Sequence, residues 1–332
     1  MEARERVQAA IALDVADRPP FGLWGHSYLD EWLPRDLAAH TTLEQKRYGY
    51  DFVKFQPRAS CFAEAYGSLY RPSRDPLIEP ILVRAALTSW EDLESLPEVG
   101  GESPPLAAQV EGVGRVSGAV SAIPVLQTLF SPITVAGYLF GKHPARALQE
   151  LRDHPDAMER ALDRIAGGLI DFAARSVEAG AAGVFYAISG YASADLISEE
   201  DYRHALLPHD RKVLEALPAR AWFNAVHICG ERIHFGLASD LPSQAVSWSI
   251  HEEGNPDLED GVARSGRAAM GGLSHKTTLV RGTAGEVEKE TLEALAANSG
   301  RGIFVAPGCS IPPEAPEANR AAVADAVRRH SA

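Results

Sequence analysis

A chain of 332 residues that is 45% hydrophobic and 23% charged has room for one large globular domain or two ordinary ones. Its formal net charge of −13 argues against nucleic acid and anionic membrane surfaces as partners. No apolar run approaches the roughly 18 residues of a membrane span, and no signal-peptide core follows the charged start Met1-Glu2-Ala3-Arg4-Glu5-Arg6. Three cysteines make no disulfide framework, so a reducing, cytoplasmic setting is expected.

Helical spacing over residues 2–13 predicts a cap helix, and Asp17-Arg18-Pro19-Pro20 a turn. Phe21 to Trp24 reads as a first strand ending at Gly25-His26, residues 30–50 as a helix, and Asp51 to Phe55 as a second strand stopped by Pro57. Residues 56–103 are rich in proline and are expected to be irregular, apart from a short Ser89-to-Leu96 helix, as an excursion within the same domain. A helix over 104–116 and a strand over 122–127, weakened by Pro124, come next. Helices follow over 132–140, 143–152 and 156–179, the last with Ile165, Leu169, Phe172 and Ala173 on one stripe.

Beyond Gly180 the alternation becomes regular. Strands are predicted over 183–187, 222–229, 244–249, 268–273 and 302–306. Helices are predicted over 198–217, from about Ile233, and over 258–265, 286–298 and 316–329. Short apolar strands without polar alternation belong in a parallel sheet buried on both faces. About eight such units fit a single-domain α/β chain over 1–332. The fold is then a (β/α)8 TIM barrel with an N-terminal helical extension, a doubly wound open sheet being the alternative. A barrel builds its site at the C-terminal ends of its strands. Those ends carry His26, Lys54 to Arg58, Gln127, Tyr186, His227, Cys229, His251 and Cys309.

In Asn224-Ala225-Val226-His227-Ile228-Cys229-Gly230 the His and the Cys are two apart on a strand, so both side chains face the same way. Cys309 follows another strand end. One imidazole and two thiols are a plausible three-ligand set for zinc with one position open; the alternative is two small buried thiols and a core histidine. His26 could be a ligand, a general base or a substrate anchor. Lys54 and Arg58 could bind a carboxylate or phosphate. Glu64 could reach the mouth, and Tyr186 and His251 could point inward. Cys61 has no partner at metal spacing and reads as packing, and Gly271-Gly272 as a tight strand end.

Taken together, several segments resemble the uroporphyrinogen decarboxylase superfamily, which includes zinc methyltransferases acting with corrinoid proteins. They are Asp17-Arg18-Pro19-Pro20, Pro132-Ile133-Thr134, His227-Ile228-Cys229-Gly230, Gly271-Gly272, Arg281-Gly282-Thr283 with Glu286-Val287, and Ala306-Pro307-Gly308-Cys309-Ser310-Ile311-Pro312 followed by Ala315-Pro316-Glu317-Ala318-Asn319. The resemblance covers nearly the whole chain and implies the (β/α)8 barrel. True decarboxylases carry Gln-Ala-Gly-Arg-Tyr after the first strand, a region whose arginines bind the substrate's carboxylates; here Trp24-Gly25-His26-Ser27-Tyr28 has no arginine. Phe55-Gln56-Pro57-Arg58 supplies no aspartate in register, and Gly308-Cys309-Ser310 replaces Gly-His-Gly. Tyr138, six after Pro132, does match a decarboxylase tyrosine.

The methyltransferase branch has His-x-Cys and a distant Cys as zinc ligands, matched by His227, Cys229 and Cys309. The implied activity moves a methyl group between a thiol, or small methylated substrate, and a corrinoid (methylcobalamin) supplied by a partner protein, the chain having no corrinoid domain of its own. His26, Tyr186 and His251 are then the catalytic candidates, and Trp24, Lys54, Arg58, Glu64 and Tyr138 the substrate-binding ones. His251, His26 or water could fill the fourth zinc position. A monomer or homodimer is expected. The rival readings are a metal-independent decarboxylase or lyase of a carboxylic acid, and a non-enzymatic zinc-bearing binding protein for a corrinoid partner or small thiol.

Overall fold

A computed structural model describes residues 1–330; Ser331 and Ala332, the end of the expected domain, lie outside the described residues. Seven strands form one parallel sheet: β1 (Val53–Phe55), β4 (Val125–Phe130), β5 (Gly183–Ser189), β6 (Ala225–Cys229), β7 (Ala245–Ser247), β8 (Ala268–Leu273) and β9 (Ile303–Pro307), paired in that order. The remaining two, β2 (Leu69–Arg71) and β3 (Ile81–Arg84), make a separate antiparallel hairpin inside the excursion. That hairpin was not expected. Pro72, Pro76 and Pro80 punctuate it, and its residues are mostly exposed, so it shows no buried alternation to read.

The predicted first strand differs most from what is observed. Residues 21–25 are extended but pair only through single parallel bridges, Phe21 with Val305 of β9 and Gly25 with Ile311 beyond its end. The Gly22 N–H donates to the Val305 carbonyl at 3.1 Å, and on the other side the Asp51 N–H donates to the Phe21 carbonyl at 2.9 Å. The segment therefore bonds to chain at both edges of the sheet. Pro19 and Pro20 have no N–H to extend it into a ladder.

Two boundaries also move. The strand expected over 122–127 runs from Val125 to Phe130, because Pro124 can only accept, and does so from the Val53 N–H at 2.9 Å. The helix expected over 198–217 is two helices, Glu199–Ala205 and Leu207–Glu215, the second restarted by Pro208. The long helix expected over 156–179 is present as Pro155–Glu178 and buries Ala161, Ile165, Leu169, Phe172 and Ala173.

Register fixes which side chains enter the space the sheet encloses. Lys54 pairs with Leu126, Thr128 with Phe185, Ala187 with His227, His227 with Ser247, and Met270 with Phe304. Partners in a parallel ladder share a face, so these residues all lie on one side. At the bottom Phe52, Phe223 and Phe304 pack as a triangle with ring centroids 5.3–5.9 Å apart. Trp24 sits on Phe52 and Phe185, and Phe185 stacks on His227 at 5.3 Å. The apolar floor thus gives way to polar groups toward the C-terminal ends of the strands.

Candidate metal centre

His227 and Cys229 project from the C-terminal end of β6, and Cys309 stands two residues beyond the end of β9. The structure brings all three together: one ligand atom from each lies within 4.8 Å of the others. The two Sγ atoms are 3.8 Å apart and not joined as a disulfide. The His227 ring is held by Ser247, whose Oγ is 3.1 Å from Nδ1. Its Nε2 is buried and has no hydrogen-bond partner among the described residues.

These features fit a metal. A zinc ion with sulfur ligands at about 2.3 Å in a tetrahedron needs its two sulfurs roughly 3.8 Å apart. With Nδ1–H donating to Ser247, Nε2 carries the bare lone pair a metal requires. The Cys229 thiol donating to Cys309 pulls Cys309 well below the usual thiol range, while Cys229 itself is driven up. Two thiols and a bare imidazole nitrogen supply the donor types that zinc takes.

A second group of side chains leads outward from the centre. His26 Nδ1 donates to Glu31 Oε1 at 2.7 Å, and its Nε2 accepts from Gln56 Nε2 at 3.1 Å. Gln56 Oε1 accepts from Lys54 and lies 3.4 Å from the Ser310 hydroxyl, next to Cys309. Lys54 is enclosed above the rings of Phe185 and Trp24, and burial pushes its amine down to about 7. His26 also lines a cavity of about 480 Å³ with Tyr28, Glu31, Tyr70, Tyr138 and Lys142. Trp24, Lys54, Gln56 and His26 therefore form a run of contacts from Phe185, which stacks on His227, to the cavity that Tyr138 also lines.

Other expected site residues are engaged elsewhere. Tyr186 is not at the mouth: it alternates with Phe185 and Ala187 and so faces the helices, where its hydroxyl donates to Asp210 at 2.6 Å. Tyr202 donates to the other oxygen of the same carboxylate, also at 2.6 Å. Arg58 is not a free anion site, because it grips Glu64 through two nitrogens at 2.6 and 2.8 Å and also donates to the Glu31 carbonyl. The Glu64 carboxylate is spent on that pair. His251 lies on the rim and donates from Nε2 to the Gly272 carbonyl at 3.1 Å.

Sequence reasoning missed Ser247, Glu31 and His275 as members of this region, and named Gln56 only within the strand end Lys54 to Arg58. Ser247 could have been found from the register of the strand beside His227. His275 sits on a turn and Glu31 in a 3-10 helix of three residues, where no period assigns direction.

The sequence profile of the family described as "Uroporphyrinogen decarboxylase (URO-D)" matches residues 25–330. The chain belongs to that family. A "Uroporphyrinogen decarboxylase" of Streptomyces coelicolor is 28% identical over 290 residues, covering 83% of this chain and 76% of that protein. The "Methylcobamide:CoM methyltransferase MtbA" of Methanosarcina mazei is 24% identical over 284 residues, covering 85% and 79%. Among solved structures, a "methyltransferase from Methanosarcina mazei" superposes with a TM-score of 0.85 at 21% identity over 100% of both chains. That likeness carries the fold. Among the described residues no helix is long and apolar enough to cross a membrane.

Proposed function

We propose that this chain is a zinc-dependent methyltransferase on a closed (β/α)8 barrel. It would move a methyl group between a thiol, or small methylated substrate, and a corrinoid held by a partner protein in the cytoplasm. The observation that carries the reading is the buried, unpartnered Nε2 of His227 beside two thiols whose sulfurs are 3.8 Å apart. His227, Cys229 and Cys309 would hold the ion. When bound, zinc would lower the pKa of a substrate thiol and so supply a thiolate nucleophile at neutral pH.

The chain's own residues do the rest. Ser247 holds the orientation of the His227 ring. Glu31 and Gln56 fix that of His26, whose ring lines the cavity through which substrate would enter. Trp24, Phe185 and the aromatic triangle beneath them keep water from the inner side of the thiols. Tyr28, Tyr70 and Tyr138 give the cavity aromatic walls against which a small organic substrate would pack.

The likeness to a Streptomyces decarboxylase favours a second reading, a metal-independent decarboxylase of a carboxylic acid. It is weaker here because Arg58 is committed to Glu64 and the segment after Trp24 brings no arginine to the mouth. Turnover separates the two. Zinc-loaded protein demethylating methylcobalamin with an added thiol, and losing that activity on chelation, supports the proposal. Decarboxylation that survives chelation and loss of both thiols would overturn it.

A further inference from the structure

We propose that His275 is the fourth protein ligand of this centre in the substrate-free protein, giving it two nitrogens and two sulfurs. The proposal rests on the zinc reading above and names the group that fills its remaining position. His275 lies just past the end of β8. There the Leu273 carbonyl accepts from the Gly308 N–H at 2.9 Å, which sets the turn carrying His275 beside the residue preceding Cys309. Its ring is buried, with the residue only 8% exposed, and its Nδ1 has no hydrogen-bond partner among the described residues. Orphaned imidazole nitrogens thus occur on His227, in the strand that carries Cys229, and on His275, in the turn beside the segment that carries Cys309.

The rivals for the position are less suited. Both ring nitrogens of His26 are bonded, to Glu31 and Gln56. His251 donates Nε2 to the Gly272 carbonyl and keeps Nδ1 free, but it stands on the rim with its side chain 35% exposed, where His275 is buried. Glu252, the acid whose charge reaches Cys229, is paired with Lys276 at 2.9 Å. His275 stands outside the set of three whose ligand atoms lie within 4.8 Å, so reaching an ion requires its ring to turn on its side-chain torsions. That movement also makes it a ligand that can give way to a substrate atom.

Cobalt(II) in place of zinc provides the test. The full chain is loaded with cobalt without substrate, and its X-ray absorption and visible ligand-field spectra are recorded. The wild type is expected to show two sulfurs and two imidazoles. His275→Gln should lose one imidazole and shift the visible bands, with both sulfurs retained as the sign of a folded site. A single imidazole in the wild type, an unchanged shell in His275→Gln, or the change arising instead in Glu252→Gln would each overturn the proposal. Failure of the wild type to take up cobalt at His227, Cys229 and Cys309 would defeat the zinc reading itself, and this proposal with it.

Discussion

The sulfurs of Cys229 and Cys309, 80 residues apart in sequence, stand 3.8 Å from one another without a bond between them. That separation is too long for a disulfide, which needs about 2.05 Å, and suits two ligands of one tetrahedral ion. Mild oxidation of metal-free protein should therefore cost two of the three thiols, and zinc loading should protect them. Thiol titration of the unfolded protein afterwards reads the count. Cys61 should survive, because it is buried and its thiol is held far above the usual range by that burial. Equal loss of thiols with and without zinc would contradict this.

Ser247 acts on the metal only through His227 Nδ1. Ser247→Ala should weaken zinc binding by roughly 10- to 100-fold, as loss of an outer-shell partner does, and cost the metal-free protein about 1 kcal/mol for the lost buried hydrogen bond. Competition with a chromophoric chelator measures the first and calorimetry the second.

Arg58 and Glu64 form a nearly buried, bidentate pair. Removing either partner alone leaves a charge without its counterion at a cost of about 3 kcal/mol. A double substitution, Arg58→Met with Glu64→Gln, should recover much of that loss. A double-mutant cycle by urea denaturation measures the coupling. If Arg58 instead binds substrate, Arg58→Met will raise KM with little loss of stability.

Asp210 gives a pH dependence unconnected with the metal. Burial raises its carboxyl from 3.8 to about 7, opposed by the hydroxyls of Tyr186 and Tyr202. The folded state then holds a proton that the unfolded state has released between about pH 4 and 7. Stability from this group should fall as pH rises through that window, by up to about 4 kcal/mol. Asp210→Asn should flatten the slope, as followed by denaturation at pH 5 and pH 7.5. An unaltered slope would contradict the assignment.

The alternation of a strand was enough to put His227 and Cys229 on one face, and the apolar run ending at Pro307 to put Cys309 on the same rim. The same alternation was open to misuse. Its place near a strand end makes Tyr186 read as inward-facing, yet its parity is that of Leu129 and Val226, which face the helices. The strand at 21–25 was legible as extended chain but not as two isolated bridges, since bridging depends on partners far away in sequence. Arg58 and Glu64 could be named, but not their mutual pairing, which a turn over residues 58–61 sets. His275 lies on a turn and Glu31 in a 3-10 helix of three residues, neither of which carries a readable period.

Metal analysis of the purified protein tests the central claim most directly. The account predicts about one zinc per chain in the wild type and its loss in the Cys229→Ser, Cys309→Ser double variant. Wild-type protein without stoichiometric metal, or a double variant that keeps its full complement, would contradict it.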